Sequence, residues 1–143
     1  MTTATDHDDR IAISEVKARY CRFLDTKQWD AWGALFTEDF VLDTSAAGGP
    51  APIIGRDAAV ATVRRSIETA RTAHQVHTPE IAIDGDTADA IWAMQDRVVF
   101  DNGHGLVGYG HYTERYVKQG GQWRIASSKL TRLHLDRTAP QDE

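Results

Sequence analysis

Residues 71–83 read RTAHQVHTPEIAI, and here the period of the chain changes from helical to alternating. Upstream, Ile13, Val16, Tyr20 and Phe23 recur at helical spacing, which predicts a first helix of about three turns. Trp29, Trp32, Leu35 and Phe36 make the stripe of a shorter second helix. Val60, Val63 and Ile67 make the inner stripe of a third, which Asp57 is placed to cap. Residues 40–44 read as a short strand, and the Gly- and Pro-rich residues 46–52 as a loop. Downstream, residues 74–83, 88–100, 106–117 and 123–135 read as consecutive strands. Asp84-Gly-Asp, Asp101-Asn-Gly and Gln119-Gly-Gly lie between them and supply hairpin chemistry. Helices followed by an antiparallel meander define an α+β class. The expected architecture is a cone-shaped, curved antiparallel sheet wrapped around the helices, with a mouth suited to a small molecule.

The 143 residues suit one domain, expected over 11–136 between polar tails at 1–10 and 137–143. A net charge of -5 with no Lys/Arg cluster argues against nucleic acid or an anionic membrane surface as partner. Cys21 is the single cysteine, so no internal disulfide forms and a cytoplasmic setting is expected. No apolar run approaches the roughly 20 residues of a membrane span. A Gly-rich dinucleotide fingerprint, a phosphate-binding loop and a convincing metal-ligand set are all absent, so neither cofactor nor metal is expected.

Groups able to exchange protons near neutral pH gather at two places: Tyr20 and Asp25 at the end of the first helix, His74 and His77 at the start of the first long strand. Asp25 is equally suited to cap the second helix. Tyr20 fits the apolar stripe as a core aromatic, and five residues of continuous helix would set it about 140° from Asp25. The two therefore share a pocket only if the helix ends between them. His74 and His77, three apart on a strand, point to opposite faces, which disfavours a shared metal. Simple alternation puts His77 on the face of Ile81 and Ile83. Asp96 shares a face with Trp92, Met94, Val98 and Phe100, where an acid is costly unless paired or protonated. Trp92 is a candidate for contact with a ligand, and so is one of Tyr112 and His111, which take opposite faces of the next strand.

Tyr20-x4-Asp25, residues 30–39 (DAWGALFTED), residues 74–81 (HQVHTPEI), and Gly108-Tyr-Gly-His-Tyr112 leading to Gly121-Gln-Trp-Arg-Ile125 together resemble the SnoaL-like branch of the nuclear-transport-factor-two-like superfamily. The resemblance implies the cone fold, and homodimers or higher homo-oligomers formed through the sheet. The nearest catalytic pattern is that of bile-acid dehydratase, scytalone dehydratase and hexachlorocyclohexane dehydrochlorinase. It carries a catalytic aspartate onto Asp25, a histidine onto His74, a tyrosine onto Tyr20 and a further acid onto Asp96. Choosing His74 requires an irregularity near Thr78-Pro79 that resets the strand, with His77 kept as the reserve substrate-binding residue beside Trp92 and Tyr112. Thr44 stands near the place of a second dehydratase tyrosine. Ser128 stands near that of a dehydrochlorinase arginine, so dechlorination is not expected. The implied function is a cofactor-independent dehydratase, isomerase or cyclase acting on a hydrophobic, hydroxylated carbonyl compound of steroid-like, polyketide or aromatic-precursor type. The alternative is a non-catalytic domain for binding small hydrophobic ligands or for association.

Overall fold

The computed structural model describes residues 4–141. Its elements run in the order α1 (Ala4–Asp25), α2 (Trp29–Gly33), β1 (Phe36–Asp43), β2 (Ile53–Ile54), α3 (Arg56–Ile67), β3 (Arg71–Val76), β4 (Glu80–Asp84), β5 (Thr87–Val99), β6 (Gly105–Gln119) and β7 (Gln122–Thr138). The seven strands form one open sheet in the order β2-β1-β7-β6-β5-β3, with β4 also paired to β5. All pairs are antiparallel except β1 with β7, which run parallel. Register shifts at Tyr109/Gly110 and Arg115/Tyr116 interrupt the long β6–β7 ladder, and such bulges bend and twist a sheet. The result is the α+β architecture expected: a curved sheet closing over helices.

The concave face of that sheet meets α1. Ile13, Val16, Tyr20 and Leu24 are buried along one side of the helix, against Trp92, Met94, Tyr112, Tyr116 and Ile125 from the strands. At the junction of α2 and β1, Trp32 packs edge-on to Phe36 at 4.8 Å, and Phe36 stacks on Phe40 at 4.1 Å. Each such side chain removed from water contributes about 1.5–3 kcal/mol.

The structure corrects four local expectations. Phe36 opens β1 instead of ending the second helix, because α2 stops at Gly33 and Phe36 pairs with Ile125 of β7. Asp57 lies in the first turn of α3, but the residue before the helix is Gly55, whose φ of 101° turns the chain in from β2 with no side-chain cap. The first helix, α1, also reaches back to Ala4 through the stretch read as a tail. Its reason is Asp9, which is buried and accepts hydrogen bonds from Trp123 Nε1 at 2.9 Å and Lys118 Nζ at 3.1 Å. At the other end β7 continues to Thr138, paired with Gly105. Residues 139–141 have no regular structure, and residues 1–3 and 142–143 of the predicted tails lie outside the described residues.

Between β3 and β4 the register changes. Val76 pairs with Met94 while Glu80 pairs with Ile91, so four steps on one side face three on the other. One extra residue flips every side chain beyond it to the opposite face. His74 therefore sits beside Asp96 on the inner face, and Ile81 and Ile83, of opposite parity, still turn inward beside Ala90 and Ala88.

Candidate active site

Asp25 is the last residue of α1. The helix ends there because Lys27 adopts φ 60° and the amides of Thr26, Lys27 and Gln28 close on the carbonyls of Arg22, Leu24 and Phe23. This left-handed termination seals the last turn. The Asp25 carboxylate reaches sideways to β3, where Oδ1 contacts His74 Nδ1 at 2.7 Å and accepts the Thr72 hydroxyl at 2.9 Å. Its Oδ2 accepts the His74 backbone N–H at 2.9 Å. A carboxylate only accepts, so the ring hydrogen is assigned to Nδ1 and the Nε2 lone pair is left free. Capping α2 is not its role: that helix follows Gln28 and has no side-chain cap.

His74 stands in the wall of a cavity of about 400 Å³. Leu24, Leu42, Val63, Ile67, Val98 and Leu130 supply much of its apolar lining, and Tyr20, His74, Asp96, Tyr112 and Arg132 its polar and titratable groups. Tyr20 and Asp25 do not share this cavity directly, since α1 is continuous between them. Tyr20 lines it, whereas Asp25 acts from behind the imidazole. The rings of Tyr20 and Tyr112 lie 5.8 Å apart. Burial pushes both phenols well above their usual range, with the Glu114 carboxylate adding to the effect at Tyr20 and Tyr20 itself at Tyr112. Both are therefore neutral hydroxyls near pH 7, able to donate a hydrogen bond.

Asp96 is buried on the inner face as expected, but it is not a lone acid. Arg132 of β7 grips it in two hydrogen bonds, Nη1 to Oδ1 and Nη2 to Oδ2, each 2.9 Å. The bond to Asp96 holds the guanidinium above its already high value, against the opposing effect of burial. Arg132 escaped the reading of the sequence. Its signal was there: a buried carboxylate demands a cation, and Arg132 follows Leu130 by two residues on the last strand. Gly108, opposite Asp96 on β6, makes room for the pair, since a Cβ there would overlap the Arg132 guanidinium. The arginine tip can swing aside, so Gly108→Ala should fold but strand Asp96. A stability loss of about 1–3 kcal/mol in urea unfolding is expected, and an unchanged midpoint would show that the pair contributes nothing.

Two of the proposed ligand contacts are not at the cavity. His77 is exposed and its backbone N–H bonds to the Ala93 carbonyl, because it lies in the irregular segment between β3 and β4. Trp92 faces inward but is buried in the core and does not itself line the cavity, although its partner across the ladder, Tyr112, does. Thr44 does line the cavity. Among the described residues, no group of three or more His, Cys, Asp or Glu side chains is arranged to hold a metal ion, and no helix is long and apolar enough to cross a membrane.

Comparison with known proteins bears on the family and the fold. The family described as the SnoaL-like domain matches residues 5–129. A relative from Gibberella zeae named "Probable cyclase FGR4" is 29% identical over 135 residues, covering 85% of this chain and 89% of its own. Among solved structures, a variant of Rv3472 from Mycobacterium tuberculosis, of unknown function, is 28% identical with a TM-score of 0.78, covering 92% of this chain and 76% of that one. A candidate scytalone dehydratase from Novosphingobium aromaticivorans shares the fold with a TM-score of 0.85 at 23% identity, covering 96% and 92%.

Proposed function

The chain belongs to the SnoaL-like domain family, and on that premise we propose that it carries out acid–base chemistry of the dehydratase, isomerase or cyclase type, starting with removal of a proton α to a carbonyl. The observation that carries this reading is the 2.7 Å contact of His74 Nδ1 with Asp25, made by a histidine in the wall of an apolar cavity. Nε2 takes the α-proton, and the Asp25 carboxylate stands against the positive charge then formed on the ring. The electron pair moves onto the carbonyl oxygen, where the neutral hydroxyls of Tyr20 or Tyr112 donate to the developing negative charge. Arg132, fixed by Asp96, orients a second polar group of the substrate. In a dehydration the imidazolium returns the proton to a departing β-hydroxyl, which leaves as water. In an isomerisation the proton goes to another carbon, and in a cyclisation the carbanion attacks a second carbonyl. An acid–base pair of this kind contributes about 10²–10⁴-fold, and fixed orientation supplies further acceleration.

The substrate class that suits these walls is a hydrophobic, hydroxylated carbonyl compound of steroid-like, polyketide or aromatic-precursor type, since sites of this kind pair apolar walls with a few orienting polar groups. The test is α-proton exchange in heavy water with a panel of β-hydroxy ketones, steroid enones and diketones. Wild-type protein should exchange at least one compound, His74→Ala should abolish that exchange and His77→Ala should spare it. Tight binding of a compound without exchange on any would replace the enzyme with a ligand-binding domain.

A further inference from the structure

Lys27 is the only residue other than glycine with positive φ among the described residues, at 60°. It occupies the position just past a helix where glycine is favoured. Strain of this kind persists where the surroundings over-determine it, and it collects at functional sites. Beyond the backbone bonds that close this turn, Lys27 is held by its side chain: its Nζ lies 2.8 Å from Thr72 Oγ1. Thr72 Oγ1 lies in turn 2.9 Å from Asp25 Oδ1, and Asp25 Oδ1 lies 2.7 Å from His74 Nδ1.

The direction of this chain is set at its first member. An ammonium has donors and no acceptor, so the Thr72 oxygen must accept from Lys27. The Thr72 hydrogen is then directed to Asp25 Oδ1, and Asp25 meets donors on both oxygens. We infer that Lys27, acting through Thr72, is a positioning residue that holds the Asp25 carboxylate and keeps the His74 ring with its hydrogen on Nδ1 and Nε2 bare toward the cavity. The inference rests on the acid–base reading of His74 and names two residues which that reading does not use. Desolvation pulls the Lys27 ammonium below its usual value, while the Asp25 charge opposes the effect, so the lysine is coupled to the site and not simply solvated.

The experiment reads the tautomer directly. Long-range ¹H–¹⁵N spectra of protein labelled in its histidine rings are recorded for wild type, Lys27→Met, Lys27→Gly, Lys27→Arg, Thr72→Val and Thr72→Ser, with His74→Ala identifying the resonance. Wild type, Lys27→Arg and Thr72→Ser should show the Nδ1–H form of His74. In Lys27→Met, Lys27→Gly and Thr72→Val its population should fall, and kcat for α-proton exchange should drop roughly tenfold with KM little changed, as for outer partners that orient a metal-bound histidine. Lys27→Gly separates positioning from folding: relief of the positive φ should raise Tm by about 2–4 °C while the tautomer is lost. Unchanged tautomer populations in Lys27→Met and Thr72→Val would overturn the inference. A changed tautomer in a protein that exchanges no substrate would uphold the relay and reject the enzymatic reading instead.

Discussion

Asp25→Asn should lower turnover by about 10³–10⁴-fold while ligands still bind. The magnitude follows from what an amide does in this position. The native carboxylate accepts three hydrogen bonds, from the Thr72 hydroxyl, the His74 backbone and the His74 ring. Asparagine offers one accepting oxygen and an NH₂ that can only donate. If the oxygen takes the Oδ2 place and keeps the backbone bond, the NH₂ takes the Oδ1 place: the Thr72 hydroxyl loses its acceptor, and Nδ1 must accept and shift the ring hydrogen to Nε2. The lone pair needed to take the α-proton is thereby lost from the cavity side. An aspartate-to-asparagine change behind a general-base histidine elsewhere costs on the order of 10⁴-fold through the same wrong tautomer. The measurement is kcat for α-proton exchange at saturating substrate, alongside ligand affinity by calorimetry. A loss smaller than tenfold would reduce Asp25 to a tie between the end of α1 and β3.

The largest effect on stability is expected deeper, beneath the tyrosines. Lys17 and Glu114 form an ion pair at 2.8 Å with both side chains fully excluded from solvent. Tyr116 donates to the other carboxylate oxygen at 2.7 Å, and the ammonium lies 3.7 Å from the ring centroids of both Tyr20 and Tyr112. Lys17→Met keeps most of the volume but leaves Glu114 buried without its cation. Removing one member of such a pair typically costs about 3–5 kcal/mol, whereas replacing both can be nearly neutral. The double variant Lys17→Met/Glu114→Gln, which keeps an acceptor for Tyr116, should therefore recover most of the loss. Urea unfolding of wild type, Lys17→Met, Glu114→Gln and the double variant closes the double-mutant cycle. If Lys17→Met and the double variant prove equally unstable, the cost lies in lost packing between the tyrosine rings and not in a stranded charge. Because Tyr20 and Tyr112 line the cavity, the single variant should also weaken ligand binding, which ties this core pair to the site above it.

How much of this was legible follows the range of the interactions involved. Helical and alternating periods, Gly-containing hairpins and the order of helices before strands are local, and they determined the α+β class and the cone. Tyr20, Asp25, His74 and Asp96 were reached through chemistry and through family resemblance acting together. Alternation alone would have chosen His77, because a one-residue bulge is invisible to a two-residue period. The tertiary structure decided the rest. It set β1 parallel to β7, buried Asp9 under Trp123, drew Trp92 away from the cavity and brought Arg132 onto Asp96. Each of these depends on a partner distant in sequence, and a periodic pattern specifies which face a side chain takes without specifying what it will meet there. The chain by itself thus determined which elements form and which groups carry chemistry; the register across residues 77–79 and the curvature of the sheet decided which of those groups stand together.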